Sequence, residues 1–266
     1  MNIQNSFSGF RTLAFAGLGL GPALSMSADG EDMDKEWGAQ IVKREAAVSG
    51  RGERFREGNY AMFIHWGLYS QIGNRYKGKT YYGIAEWIMN RNMAGIPLEE
   101  YRMLAQDFNP TEFDPLAIAR LARDAGMRYV VITAKHHDGF AMFDSEADGF
   151  NVVDATPYGK DPIKELAQAC REVGIGFGVY YSHRIDWKRR PTTWKGRRRM
   201  RKASPEYIDF TKKQLRELLT TYPEIEILWF DLGGNEPQNR EYVEIVREVS
   251  PRCIVAGRIG RAGGKN

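Results

Sequence analysis

From position 60 onward, short apolar runs alternate with longer stretches in which apolar residues recur every three or four positions, the pattern of strands followed by amphipathic helices. Five runs read as strands: 60–66, 129–134, 176–182, 225–230 and 253–257, each containing β-branched or aromatic residues. Residues 115–125, 162–173, 205–221 and 238–249 read as helices, with proline at or near their starts, where its missing N–H removes no helical hydrogen bond. Gly126 and Gly174 fall just past a helix and just before a strand, where a residue tolerant of positive φ ends the helix. The repeating unit predicts an α/β fold built on a parallel sheet.

Residues 29–57 form a polar, charged lead-in, and 58–266 reads as one unit. A closed (β/α)8 TIM barrel takes about 250 residues. Here five strands occupy almost that length, so the expectation is a (β/α)8 barrel of which about five βα units are present, with three strands missing. A doubly wound open sheet is the competing architecture. Its first βα turn usually carries a glycine-rich phosphate loop, whereas the turn after the first strand here reads Gly67-Leu68-Tyr69-Ser70-Gln71.

Charge narrows the partners little. Lys and Arg total 38 against 34 Asp and Glu, and a formal charge of +4 does not imply nucleic-acid binding. Arg11 precedes an uncharged, mostly apolar stretch over 12–24, followed by small residues that suit cleavage after Ser27 or Ala23. This run is shorter than the roughly 20 residues of a membrane span, so 1–28 reads as a secretory signal and the protein as secreted or periplasmic, with no membrane span. Cys170 and Cys253 form no metal or redox spacing and read as buried apolar residues.

The chemistry-bearing residues gather at one end of the predicted strands. His65 ends the first, His136 and His137 follow the second, His183 the third and Asp231 the fourth. In a barrel the carboxyl ends of the strands build the active site, so these side chains are expected to converge. Each also has a plain structural reading: a strand-end His is often a satisfied structural residue, and Asp231 could cap the next helix. Trp66, Trp87, Trp187 and Trp229 lie at or beyond strand ends, and aromatic faces beside imidazole and carboxylate edges suit a sugar. Packing in the core is the alternative for each tryptophan.

The segments Met62-Phe63-Ile64-His65-Trp66-Gly67-Leu68-Tyr69-Ser70, Ala85-Glu86-Trp87 and Tyr129 through Phe140, with Lys135-His136-His137-Asp138-Gly139, resemble the α-L-fucosidase family of glycoside hydrolases. So do Gly178-Val179-Tyr180-Tyr181-Ser182, Asp186-Trp187 and Leu228-Trp229-Phe230-Asp231. The resemblance runs from about Tyr60 to Arg258. It implies a retaining exo-glycosidase acting on α-L-fucosides of fucosylated oligosaccharides or glycoconjugates, with Asp231 as the nucleophile and no cofactor or metal. By the same matching, His65, Glu86, Trp87, His136, His137, Tyr181 and Arg258 are expected to hold the substrate. The family's acid/base carboxylate is expected past the fifth strand. No Asp or Glu follows Arg258, so none is assigned; Glu86 matches a binding residue and Glu236 matches no role.

Residues 188–202 hold nine Lys or Arg on the loop after the third strand, a departure from the family pattern. They read either as a solvated loop or as a collar for anionic, sulfated fucose-rich ligands. Two functions of other classes stay open at this level. One is a metal-dependent barrel hydrolase, against which the first strand offers no His-x-His pair; the other is a fucose-binding protein without turnover.

Overall fold

The computed structural model describes residues 53–190, 203–222, 225–232 and 236–260. The segment 1–28 expected to be a signal, and most of the lead-in and of the basic run, lie outside them. Five strands form one parallel sheet: β1 (Ala61–Ile64), β4 (Tyr129–Lys135), β5 (Gly176–Tyr181), β6 (Ile225–Phe230) and β7 (Ile254–Gly257), in that spatial order. Two short strands, β2 (Arg75–Tyr76) and β3 (Lys79–Thr80), make a separate hairpin in the loop after β1. Spatial order equals chain order, with each strand pairing only with its sequence neighbours in the sheet. That is the one-directional winding of a barrel wall and not the reversal of a doubly wound sheet. Among the described residues the sheet does not close on itself.

The helices Pro115–Asp124, Pro162–Val173, Pro205–Thr221 and Asn239–Val249 agree with the sequence periodicity to within one residue. Their starts are fixed chemically. Asp114, Asp161 and Ser204 cap the first three by accepting from the backbone N–H three residues on, and each is followed by proline. Gly174 stops the second at φ 79°, a left-handed turn that leads directly into β5.

Side chains alternate across the sheet, and the two faces have different environments. Val130, Ile132, Phe177, Val179, Tyr181, Leu228, Phe230 and Val255 join the helices in the main core. On the opposite face Tyr129, Val131, Ile227 and Ile254 form a second, smaller cluster. Further along that face come Phe63, Tyr180 and Trp229, with the Phe63 ring meeting the other two, and then the strand ends. Phe63 is 40% exposed; among the described helices, only the short Glu53–Glu57 reaches this face, where Phe55 packs on Tyr129. No helix among the described residues is long and apolar enough to cross a membrane.

Candidate active site

The alternation of β6 places Trp229 and Asp231 on the same face as Ile227, so the carboxylate rises from the second cluster at the carboxyl end of the sheet. Its Oδ2 accepts the Tyr180 hydroxyl at 2.8 Å. Oδ1 accepts the Leu232 backbone N–H at 2.6 Å and Arg258 Nη1 at 3.2 Å. Leu232 holds φ 48°, a left-handed conformation that costs free energy for a leucine and turns its N–H back onto the carboxylate. Arg184 holds the same turn from outside, donating to the Leu232 carbonyl at 3.2 Å and approaching Glu236 at 3.3 Å.

The histidine pair owes its placement to a break in β4. A register shift between Thr133 and Lys135 interrupts the strict alternation. Lys135 consequently lies over the ring of Tyr181, on the helix-covered side, and donates to the Ser182 carbonyl at 2.8 Å. His136 then stacks on Tyr180, with ring centroids 5.0 Å apart and planes 8° from parallel. His137 stands edge-on to Trp87 and Trp187, and its Nε2 lies 3.7 Å from Asp231 Oδ2. Burial, reinforced by neighbouring positive groups, holds both imidazoles well below the usual histidine pKa, so both are neutral. Burial and the Asp231 charge push the Tyr180 phenol well up, which keeps it a proton donor.

His65 completes the cluster, 5.7 Å from His136 and 5.7 Å from Tyr180 between ring centroids. His65, Glu86 and His136 bring one ligand atom each within 4.8 Å of one another, and so do His136, His137 and Asp231. Either trio could hold a small cation, and either could equally serve the hydroxyls of a polar ligand. Under the pair, Asp138 accepts from the Tyr101 hydroxyl at 2.7 Å and the Phe140 N–H at 3.2 Å, and burial raises its pKa to about 6.

Most of the residues expected at the site are brought together: Asp231, His65, Glu86, Trp87, His136, His137 and Arg258. Tyr181 is not among them. Its phenol points into the helix layer and donates to Gln214 Oε1 at 2.8 Å, because adjacent residues of a strand face opposite sides. The residue that reaches the carboxylate is its neighbour Tyr180, which strand parity counted back from Asp231 across the β5–β6 register could have identified. His183 also departs from the expectation of a single pocket: it packs edge-on between Phe230 and Tyr242. Trp66 packs on Phe108 and Phe113 against the main core, so the packing alternative holds for it, whereas Trp229 lies on the Asp231 face beside the exposed Phe63. The first three cations of the basic run are engaged internally. Lys188 and Arg189 pair with Asp148, Arg189 also with Asp186 at 3.0 Å, and Arg190 donates to the Arg184 carbonyl at 2.7 Å.

A one-directional parallel wall, with a strand-end carboxylate ringed by imidazole and aromatic edges, defines a glycosidase-type α/β barrel domain. The chain belongs to the α-L-fucosidase family, whose model matches residues 34–262. It is 29% identical over 206 residues to alpha-L-fucosidase 1 of Arabidopsis thaliana, covering 74% of this chain and 34% of that protein. It is 30% identical over 198 residues to the alpha-L-fucosidase of Branchiostoma floridae, covering 69% and 41%. Among solved structures, the alpha-L-fucosidase AlfC of Lactobacillus casei in complex with α-L-fucose superposes with a TM-score of 0.69 at 37% identity, over 77% of this chain and 68% of that one. The alpha-L-fucosidase of Vibrio sp. strain EJY3 gives 0.67 at 37%, over 76% and 37%. The chain thus spans about a third to two fifths of the length of these curated relatives.

Proposed function

We propose that this chain carries the nucleophile and the sugar pocket of a retaining exo-glycosidase that hydrolyses α-L-fucosides, with Asp231 forming the glycosyl-enzyme. The observation that carries the reading is the setting of Asp231. Both lone pairs of Oδ1 are taken, by Leu232 N–H and Arg258, whereas among the described residues Oδ2 accepts only from Tyr180, which leaves one lone pair for attack. In the first step Oδ2 bonds to the anomeric carbon as the bond to the leaving oxygen breaks, and that oxygen takes a proton from an acid. In the second step water adds to the same carbon, giving up a proton to the conjugate base of that acid, and releases the Asp231 carboxylate, which the three donors stabilise as it regains its charge. His65, Glu86, His136 and His137 supply fixed hydrogen-bonding groups for the ring hydroxyls, and Trp87 an aromatic edge beside His137. A variant of AlfC is solved with Fucα(1,6)GlcNAc, which supports a fucosylated glycan as the substrate class. Export through the apolar segment at 12–24 fits access to such glycans outside the cell.

The test uses the full-length protein with 4-nitrophenyl α-L-fucoside and with a 2-fluoro fucosyl fluoride as a trap. The expected results are nitrophenol release and a fluorofucosyl adduct on the peptide containing Asp231. An adduct on any other residue, or full activity of Asp231→Asn, would remove the assignment. Glu86 and Glu236 are the first carboxylates to replace in search of the acid/base.

A further inference from the structure

The Ser182 hydroxyl lies between two partners, and the two contacts can both be hydrogen bonds in only one way. Ser182 Oγ is 2.7 Å from the Ile185 carbonyl oxygen and 2.7 Å from His137 Nδ1. A hydroxyl has one proton. If that proton went to His137, two oxygen lone pairs would face each other across 2.7 Å at Ile185, a repulsive contact at hydrogen-bond distance. The proton therefore goes to Ile185, and Ser182 Oγ accepts from His137, which must carry its proton on Nδ1. The serine cannot move away from this arrangement. Its N–H donates to the Lys135 carbonyl at 2.9 Å and its carbonyl accepts Lys135 Nζ at 2.8 Å, and it is fully buried.

We propose that Ser182 is a positioning residue that locks His137 in the Nδ1–H tautomer, so that Nε2 meets the substrate as an obligate hydrogen-bond acceptor beside Asp231. Nε2 is buried and has no hydrogen-bond partner among the described residues, and Asp231 Oδ2, 3.7 Å away, is an acceptor as well. Two acceptors side by side call for a donor from the ligand. Resting on the fucoside reading, that donor is a hydroxyl of the fucose ring, and an analogue with fluorine in its place is rejected because the imidazole lone pair then stays unpaired. Without Ser182, the proton is free to move to Nε2, where it can turn toward Asp231 and oppose the ligand hydroxyl.

The test is long-range ¹H–¹⁵N correlation on full-length protein labelled at histidine, with the His137 signals assigned by their absence in His137→Gln. The wild type is expected to show a protonated Nδ1 and a bare Nε2. Ser182→Ala should shift the population toward Nε2–H and weaken L-fucose binding about tenfold, the loss of roughly one hydrogen bond. Ser182→Thr, which keeps the hydroxyl, should restore both. A proton on Nε2 in the wild type, or an unchanged tautomer in Ser182→Ala, overturns the proposal, and the wild-type spectrum decides even if the alanine variant does not fold. Absence of L-fucose binding by a protein with the expected tautomer would sink the fucoside reading while supporting the role of Ser182.

Discussion

Tyr180 donates its phenol to Asp231 Oδ2 across 2.8 Å, from the strand next to the one that carries the carboxylate, while Tyr181 points the other way to Gln214. The pair separates catalysis from stability. Tyr180→Phe should leave folding nearly unchanged and lower kcat/KM on an aryl fucoside by about 10- to 100-fold, the loss of a charge-assisted hydrogen bond worth roughly 1.5–3 kcal/mol. Tyr181→Phe should leave kcat/KM within about twofold and reduce stability by about 1–3 kcal/mol, because Gln214 Oε1 loses its buried donor. Steady-state kinetics and urea unfolding of the two variants check this, and the opposite pattern would place Tyr181 in the pocket.

Asp231→Asn preserves the size of the side chain and one acceptor, but removes the charge that attacks carbon. Turnover should fall on the order of 10⁴-fold or more, as for other removed nucleophiles. The melting temperature should change little, since the site is at a strand end and partly open to water. Residual hydrolysis near the wild-type level would exclude covalent catalysis on this residue.

Gly257 ends β7 at φ 81°. A methyl group there would lie 2.3 Å from the Phe230 carbonyl oxygen and 2.8 Å from Trp229 Nε1. That carbonyl accepts the Arg258 N–H at 2.7 Å, so the same contact positions the arginine that reaches Asp231. Gly257→Ala should therefore cost about 2 kcal/mol or more from the left-handed backbone alone. It should also lower kcat/KM, measured on the fraction that remains folded. A variant with wild-type melting and kinetics would contradict the geometry.

The buried histidines make the fold acid-sensitive. His183 has its pKa lowered to about 3, burial being the largest cause, followed by Lys135, Arg184 and Arg190; His136 and His137 are also held well below the usual value. The unfolded chain takes up protons near pH 6.5 that the folded one refuses, so this contribution is complete above pH 6.5 and is lost as the pH falls below it. Each such histidine adds about 1.4 kcal/mol per pH unit to the slope. Neither ring nitrogen of His183 has a hydrogen-bond partner among the described residues, and the ring packs on Phe230 and Tyr242. His183→Phe should thus remove about one proton from the slope in urea titrations between pH 7 and 5. An unaltered slope would mean that His183 is protonated in the folded protein.

Asp138 works with the opposite sign. Its pKa rises to about 6 on folding, so the folded state favours the protonated acid, and stability from this group is present below about pH 4 and is lost as the pH rises through 6. From the ordinary value of 3.8 the full change is about 3 kcal/mol. Asp138→Asn should flatten stability between pH 4 and 6.5. If that interval is as steep in the variant as in the wild type, the carboxyl is already ionised below pH 4.

The sequence by itself determined the succession of strands and helices and most of the list of reactive groups. Strand runs, proline-led helices and the glycine stops at 126 and 174 are local signals, written in neighbours a few positions apart, and the helices formed where the periodicity put them. The motifs around His65, His136, His137 and Asp231 carried the chemistry in the same local way. What only the tertiary structure decided is which side each of these groups faces. The alternation in β5 sends Tyr180 to the carboxylate and Tyr181 to Gln214, yet two adjacent tyrosines look alike until the register against β6 is known. The irregularity after Thr133 is invisible in composition, and it is what lets Lys135 turn outward while His136 and His137 turn to Asp231. The proton on His137 is further still from the sequence, since it follows from a serine hydroxyl held between a ring and a carbonyl by a fold that leaves it only one place to donate.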